Sequence, residues 1–113
     1  MKIINITKNA ILADNTILAQ TVLARLKGLL FRKEFRNGEA LIIKPCNSIH
    51  TFFMRFPIDV IFIDSNNKIV KIRKGIKPFR ATPVYFKSKF VIELPSGTAA
   101  AANTEESDQL SIE

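Results

Sequence analysis

The cysteine and the histidine of this chain, each present once, lie four residues apart in Cys46-Asn47-Ser48-Ile49-His50. A thiol beside an imidazole is the kernel of nucleophilic catalysis: the ring takes the thiol proton, and a carboxylate such as Asp59 would orient the ring. Spacing decides whether they can meet. In an extended strand the two Cα atoms would stand about 13 Å apart, at roughly 3.3 Å per residue. A turn would be needed, and Pro45 and Asn47-Ser48 permit one. The plainer alternative is a small buried thiol and a histidine bonded to backbone. On an extended chain Cys46, Ser48, His50, Phe52 and Met54 would share one side. Cys, His and Met suit a soft ion such as Cu(I), but a straight strand keeps them too far apart to chelate. Met54 among phenylalanines reads as packing. Neither a metal nor a cofactor is expected.

Two carboxylates stand in apolar surroundings. Asp59 enters Ile58-Asp59-Val60-Ile61-Phe62-Ile63, and Glu93 sits in Val91-Ile92-Glu93-Leu94. A carboxylate buried alone is costly, so each needs a partner. For Asp59 the candidates are Arg25, Arg32 and Arg55, or backbone N–H groups if it locks the loop before its strand. If Asp59 and Glu93 met in one pocket, their repulsion would raise one pKa, as in acid–base sites.

The elements that must position these groups read mostly as strands. Lys2–Thr7 is a short β-rich run. Ala10–Ala13 and Thr16–Ala19 flank Asp14-Asn15 and read as a hairpin. Thr21 can cap a helix over Val22–Lys27, with Gly28 as its left-handed terminus. Glu39–Ile43, Ser48–Phe53, Ile58–Asp64, Lys68–Lys74 and Lys89–Leu94 read as further strands, the third buried on both faces. A helical turn follows in 98–107, and Leu110–Ile112 is a last strand. The fold class is therefore mainly β, a small antiparallel barrel or sandwich with one short helix packed on it. Its predicted core is Leu26, Leu30, Leu41, Ile43, Phe53, Ile58, Val60, Phe62, Ile72, Val91 and Leu94.

The chain has 113 residues, is 47% hydrophobic and carries a net charge of +7. That length suits one domain over 1–113, and the composition argues against disorder. No apolar run reaches the roughly 18 residues of a membrane span, and the first residues form no signal-peptide apolar segment. A soluble cytoplasmic protein is expected. Charge is uneven, at +4 over 1–40, +8 over 41–90 and −5 over 91–113. The acidic tail could fold back on the basic body. Alternatively the basic 71–89 stretch, with Phe79, Tyr85 and Phe86, could bind single-stranded nucleic acid.

The segments Ala19-Gln20-Thr21 through Arg25, Gly28-Leu29-Leu30-Phe31-Arg32, Met54 with Ile58-Asp59, Phe62 and Asp64, and Glu93-Leu94-Pro95-Ser96-Gly97 resemble the small bacterial and archaeal family called domain of unknown function 192. The resemblance spans about residues 17–112. Leu30 replaces a usual Met, and Ser107-Asp108 replaces a usual Gly-Asp. It implies a compact β-rich fold and brings no established activity.

Three functions follow as expectations. The leading one is a non-enzymatic module binding a small ligand or a protein through His50, Thr51, Met54, Arg55, Asp59 and Glu93. The second is an enzyme using Cys46 with His50, or Asp59 with Glu93. The third is nucleic-acid binding through 71–89.

Overall fold

The computed structural model describes residues 1–30 and 32–113, with Val22 and Leu26 described by their backbone alone. The elements run β1 (Ile3–Asn5), β2 (Ala10–Ala13), β3 (Asn15–Ala19), α1 (Val22–Lys27), β4 (Glu39–Ile43), β5 (Ile58–Ile63), β6 (Ile69–Ile76), β7 (Phe90–Pro95), α2 (Thr98–Ala101) and β8 (Leu110–Ile112). They form a three-stranded sheet ordered β2-β1-β8 and a five-stranded sheet ordered β3-β4-β7-β5-β6. The arrangement is a sandwich of two sheets. A closed barrel, the other expectation, does not form among the described residues.

The five-stranded sheet is covered on both faces, which explains why β5 and β7 are buried at every position. On one face Ile61, Ile63, Ile92 and Leu94 pack against Ile3, Leu12 and Leu110 of the small sheet. On the other, Ile58, Val60, Phe62, Leu41 and Val91 pack against Leu29, Ile49 and Met54. Among the described residues that second cover holds no strand. It consists of α1 and the segments around 45–56 and 77–89. Burying such irregular backbone requires side chains to satisfy it.

Several expectations need correction. The hairpin over 10–19 is absent: β2 pairs antiparallel with β1, while β3 pairs parallel with β4. A single residue, Asp14, separates β2 from β3, too little for a two-residue reversal. The amides of Asp14 and Asn15 both donate to the Gly38 carbonyl at 3.0 Å, and the chain crosses there between sheets. The parallel β3–β4 pair also departs from a purely antiparallel sheet. Ser48–Phe53 is no strand; a lone bridge joins His50 to Ala81. Phe53, expected in the core, has φ +65° and is 59% exposed, because that left-handed turn swings its ring outward. Met54 takes the buried place instead. Leu30 and Ile72 are half-buried against the two cores, and the Leu26 side chain lies outside the described residues.

The acidic tail does fold back. β8 pairs with β1, and Asp108 lies 2.9 Å from the Lys8 ammonium, with Glu106 3.4 Å from that of Lys71. The turn before β8 forms with Ser107 at φ +74°, a conformation natural to glycine.

Candidate functional site

The irregular cover is built by capping and by one buried hydroxyl. Thr21 Oγ1 accepts from the Ala24 amide at 3.0 Å, starting α1 where expected. Gly28, at φ +46°, ends it, so Leu29 drops into the core while Arg25 and Lys27 stay on the last turn. Thr51, fully buried, stitches the other two segments together. Its hydroxyl donates to the Lys77 carbonyl at 2.6 Å and accepts from the Arg80 amide at 2.9 Å. Its own amide donates to the Arg80 carbonyl at 2.8 Å.

Between α1, the 45–54 segment and the sheet lies a cavity of about 260 Å³. Its lining is mostly apolar, from Leu29, Leu30, Ile43, Pro45, Ile49 and Met54. The polar side chains are those of Arg25, Lys27, Cys46, Ser48, His50 and Glu93. A concave apolar wall with a few converging polar groups is the usual form of a small-molecule site.

Glu93 projects from the middle of β7, opposite Leu41 of β4 and Val60 of β5. It is 1% exposed, and its Oε2 has no hydrogen-bond partner among the described residues. Burial pushes its carboxyl up to about 8, so near neutral pH the acid is mostly protonated. Arg25 reaches the same cavity from α1. Its Nη1 donates to the Pro45 carbonyl at 3.2 Å, and its buried Nε has no partner among the described residues. No ion pair within 4.0 Å joins Arg25 to Glu93 among the described residues. A buried carboxyl and a half-buried guanidinium thus line one cavity, each with a buried atom left unsatisfied among the described residues.

Cys46 and His50 line this cavity too, but no hydrogen bond joins them among the described residues. The thiol donates to the Ser48 carbonyl at 3.0 Å, and His50 Nδ1 accepts from the Phe52 amide at 3.3 Å. Burial pushes the Cys46 thiol up, and the neighbouring Glu93 carboxyl adds to it. A nucleophilic thiol needs the opposite shift.

Asp59 does something else. Its register partner on β7 is Leu94, whereas that of Glu93 on β5 is Val60, so the two carboxylates point to opposite faces. They cannot form an acid–base pair across this sheet. Asp59 Oδ1 accepts from the Gly75 amide at 2.8 Å, and Oδ2 from the amides of Gly97 and Ala99 at 3.1 and 3.0 Å. It fills the bulge where β6 holds an extra residue opposite Ile58–Val60 and ties down the start of α2. Its partners are backbone, not Arg25, Arg32 or Arg55.

Of the residues singled out in the sequence, the cavity gathers Cys46, His50, Met54 and Glu93. Thr51 and Asp59 are committed to holding backbone, and Arg55 is exposed and does not line the cavity. Arg25 was considered only as a partner for Asp59. A lone arginine on a short amphipathic helix, four residues past the cap, gave no sign that it would line a cavity together with Glu93. In the basic 71–89 stretch Tyr85 packs on Phe62 and its hydroxyl accepts from Arg73 at 3.1 Å, while Phe79 and Phe86 are exposed.

Fold and cavity together define a small two-sheet β fold with helix and loops over one sheet face. Residues 3–112 match the family model of domain of unknown function 192, described as Uncharacterized ACR. The chain belongs to this family, also called UPF0127, and the match takes in β1 as well as the region recognisable by motif. It is 32% identical to a UPF0127 protein of Thermococcus sibiricus, over 98% of this chain and 74% of that one. It is 31% identical to a UPF0127 protein of Pyrococcus furiosus, over 95% and 94% respectively. A crystal structure of a protein of unknown function from Novosphingobium aromaticivorans shares the fold, with a TM-score of 0.87 at 22% identity, covering 99% of this chain and 84% of that one. No described helix is long and apolar enough to cross a membrane.

Proposed function

We propose that this domain is a binding module whose small ligand occupies the cavity beneath α1. The observation that carries the reading is Glu93: a carboxyl in the centre of a sheet, buried, with Oε2 unsatisfied and facing an apolar cavity. An unsatisfied buried polar group costs about 1–3 kcal/mol. Leucine or valine would serve the sheet better at that position. The cost is offset when a ligand supplies the missing partner. Met54, Ile49, Leu29 and Ile43 provide apolar area, and His50 stands exposed at the rim.

The test is a panel of fragments, with carboxylates, amines and neutral amides in equal numbers, followed by methyl NMR and thermal shift. Binding should move the methyl resonances of Leu29, Ile49 and Met54 and raise the melting temperature. A Glu93→Leu variant should be folded and should lose these responses to polar fragments. If no fragment moves those methyls in the wild-type protein, the cavity is not a binding site.

A further inference from the structure

We infer that the ligand is a small monocarboxylate with a short apolar tail, its carboxylate seated between the guanidinium of Arg25 and the carboxyl of Glu93. This rests on the cavity being the binding site and specifies its chemistry.

Arg25 comes first. Its Nη1 donates to the Pro45 carbonyl, while the buried Nε–H has no partner among the described residues. A guanidinium donates parallel N–H bonds to a carboxylate, the arrangement for which arginine is best shaped. The guanidinium is half-buried, and among the described residues no carboxylate lies within 4.0 Å of it, so an anion is the partner it lacks. The sheet offers Glu93, but no ion pair joins the two.

Glu93 decides the remaining hydrogen bond. As a neutral acid it carries an O–H donor, and a ligand carboxylate is the natural acceptor. Ionised, it would repel the same ligand. Every other titratable group lining the cavity is compatible with an anion. Arg25 and Lys27 approach from α1, and Cys46 and His50 from the 45–54 segment. The facing strand positions Leu41 and Val60 are apolar. An ammonium ligand would instead meet Arg25 and Lys27, and a neutral amide would leave the guanidinium unpaired.

Size sets the tail. About 260 Å³ is at the small end for ligand pockets and suits a molecule well below drug size. Leu29, Ile43, Ile49 and Met54 supply apolar lining for the tail.

The experiment titrates the full chain with hexanoate, hexylamine and hexanamide at about pH 6 and about pH 9, reading cavity methyl shifts and calorimetry. Hexanoate should bind at the lower pH. It should weaken by about tenfold or more at the higher pH, as Glu93 ionises. Hexylamine should bind at least about tenfold more weakly than hexanoate at the lower pH. Glu93→Gln keeps a donor, so it should retain hexanoate binding and lose the pH dependence. His50→Asn should keep it. Arg25→Lys should lose about tenfold at both pH values, because it keeps the charge and loses the fork.

Hexylamine binding better than hexanoate, or hexanoate binding equally at both pH values, would overturn the carboxylate assignment and leave the cavity site standing. If none of the three probes moves a cavity methyl, the assignment fails. If the fragment panel also leaves those methyls unmoved, the binding-module reading falls with it. The wild-type comparison of the three probes holds even if a variant fails to fold.

Discussion

Asp59 and Glu93 lie on neighbouring interior strands, one register step apart, and each is 1% exposed. Asp59 accepts three backbone N–H bonds from the β6 bulge and the start of α2. Glu93 has an oxygen with no partner and faces a cavity. On the face where two sheets pack, the carboxylate organises the backbone. On the face covered by helix and loops, it remains available. A buried carboxylate with its donors supplied is part of the scaffold; one without them marks a place where the fold has left room for something else.

The contrast can be broken most severely at Asp59. Asp59→Ala should orphan three backbone amides and destabilise the domain by about 4 kcal/mol, read by denaturant unfolding. A loss below about 1 kcal/mol would show that the three bonds do little for the fold.

Glu93 should behave in the opposite way. Its folded pKa, about 8, is raised above the ordinary value of 4.5. Its favourable contribution is therefore fully present below the ordinary value. It declines as pH rises and is gone above the folded pKa. Wild-type stability should fall by on the order of 3 kcal/mol between about pH 5 and 8 through this group. Glu93→Gln should flatten that decline. An unchanged pH profile in the variant would show that Glu93 is not the group responsible.

Thr51 sharpens the comparison, since it is a buried polar group on the cavity side that does have its partners. Thr51→Val should cost about 2 kcal/mol and raise hydrogen exchange at the Arg80 amide, loosening the 77–82 segment. Ser107→Gly tests strain instead of polar satisfaction. Relief of a left-handed serine should stabilise by about 1 kcal/mol, raising the melting temperature by about 4 °C. The smallest effect is expected at His50. Since its imidazole makes no hydrogen bond to Cys46, His50→Ala should leave the pH dependence of thiol labelling unchanged, with the thiol slow to react at neutral pH. A thiolate that reacts at low pH and loses that reactivity in the variant would restore the nucleophile reading.

Much of the scaffold was legible because its causes are local. The apolar run of 58–64 read as a doubly buried strand and 89–94 as a further strand, and Thr21 with Gly28 bounded the helix. That Asp59 would accept backbone N–H bonds was readable because a buried aspartate has few other options, but its donors are Gly75, Gly97 and Ala99 and not the loop before its strand. Segment 48–53 misled because its β-rich composition is overridden by Thr51, whose partners lie 26 to 29 residues away. The 10–19 hairpin failed for a similar reason. Both segments are strands, but each found a different partner sheet.

The site was legible only in fragments. Cys46, His50, Met54 and Glu93 drew notice as rare or misplaced residue types, and four of them do line one cavity. Arg25 drew notice as a partner for Asp59, and instead lines the cavity that Glu93 faces. What the sequence by itself determined was which stretches extend, 48–53 excepted, where the first helix starts and stops, and that two carboxylates lie in apolar strands. Those depend on neighbours a few residues apart. The tertiary structure alone decided which carboxylate would find donors and which would face a void beside an arginine. That choice depends on strand register and on how residues 25, 46, 59, 75, 93 and 97 meet, and contacts at such separations leave no periodic trace in the chain.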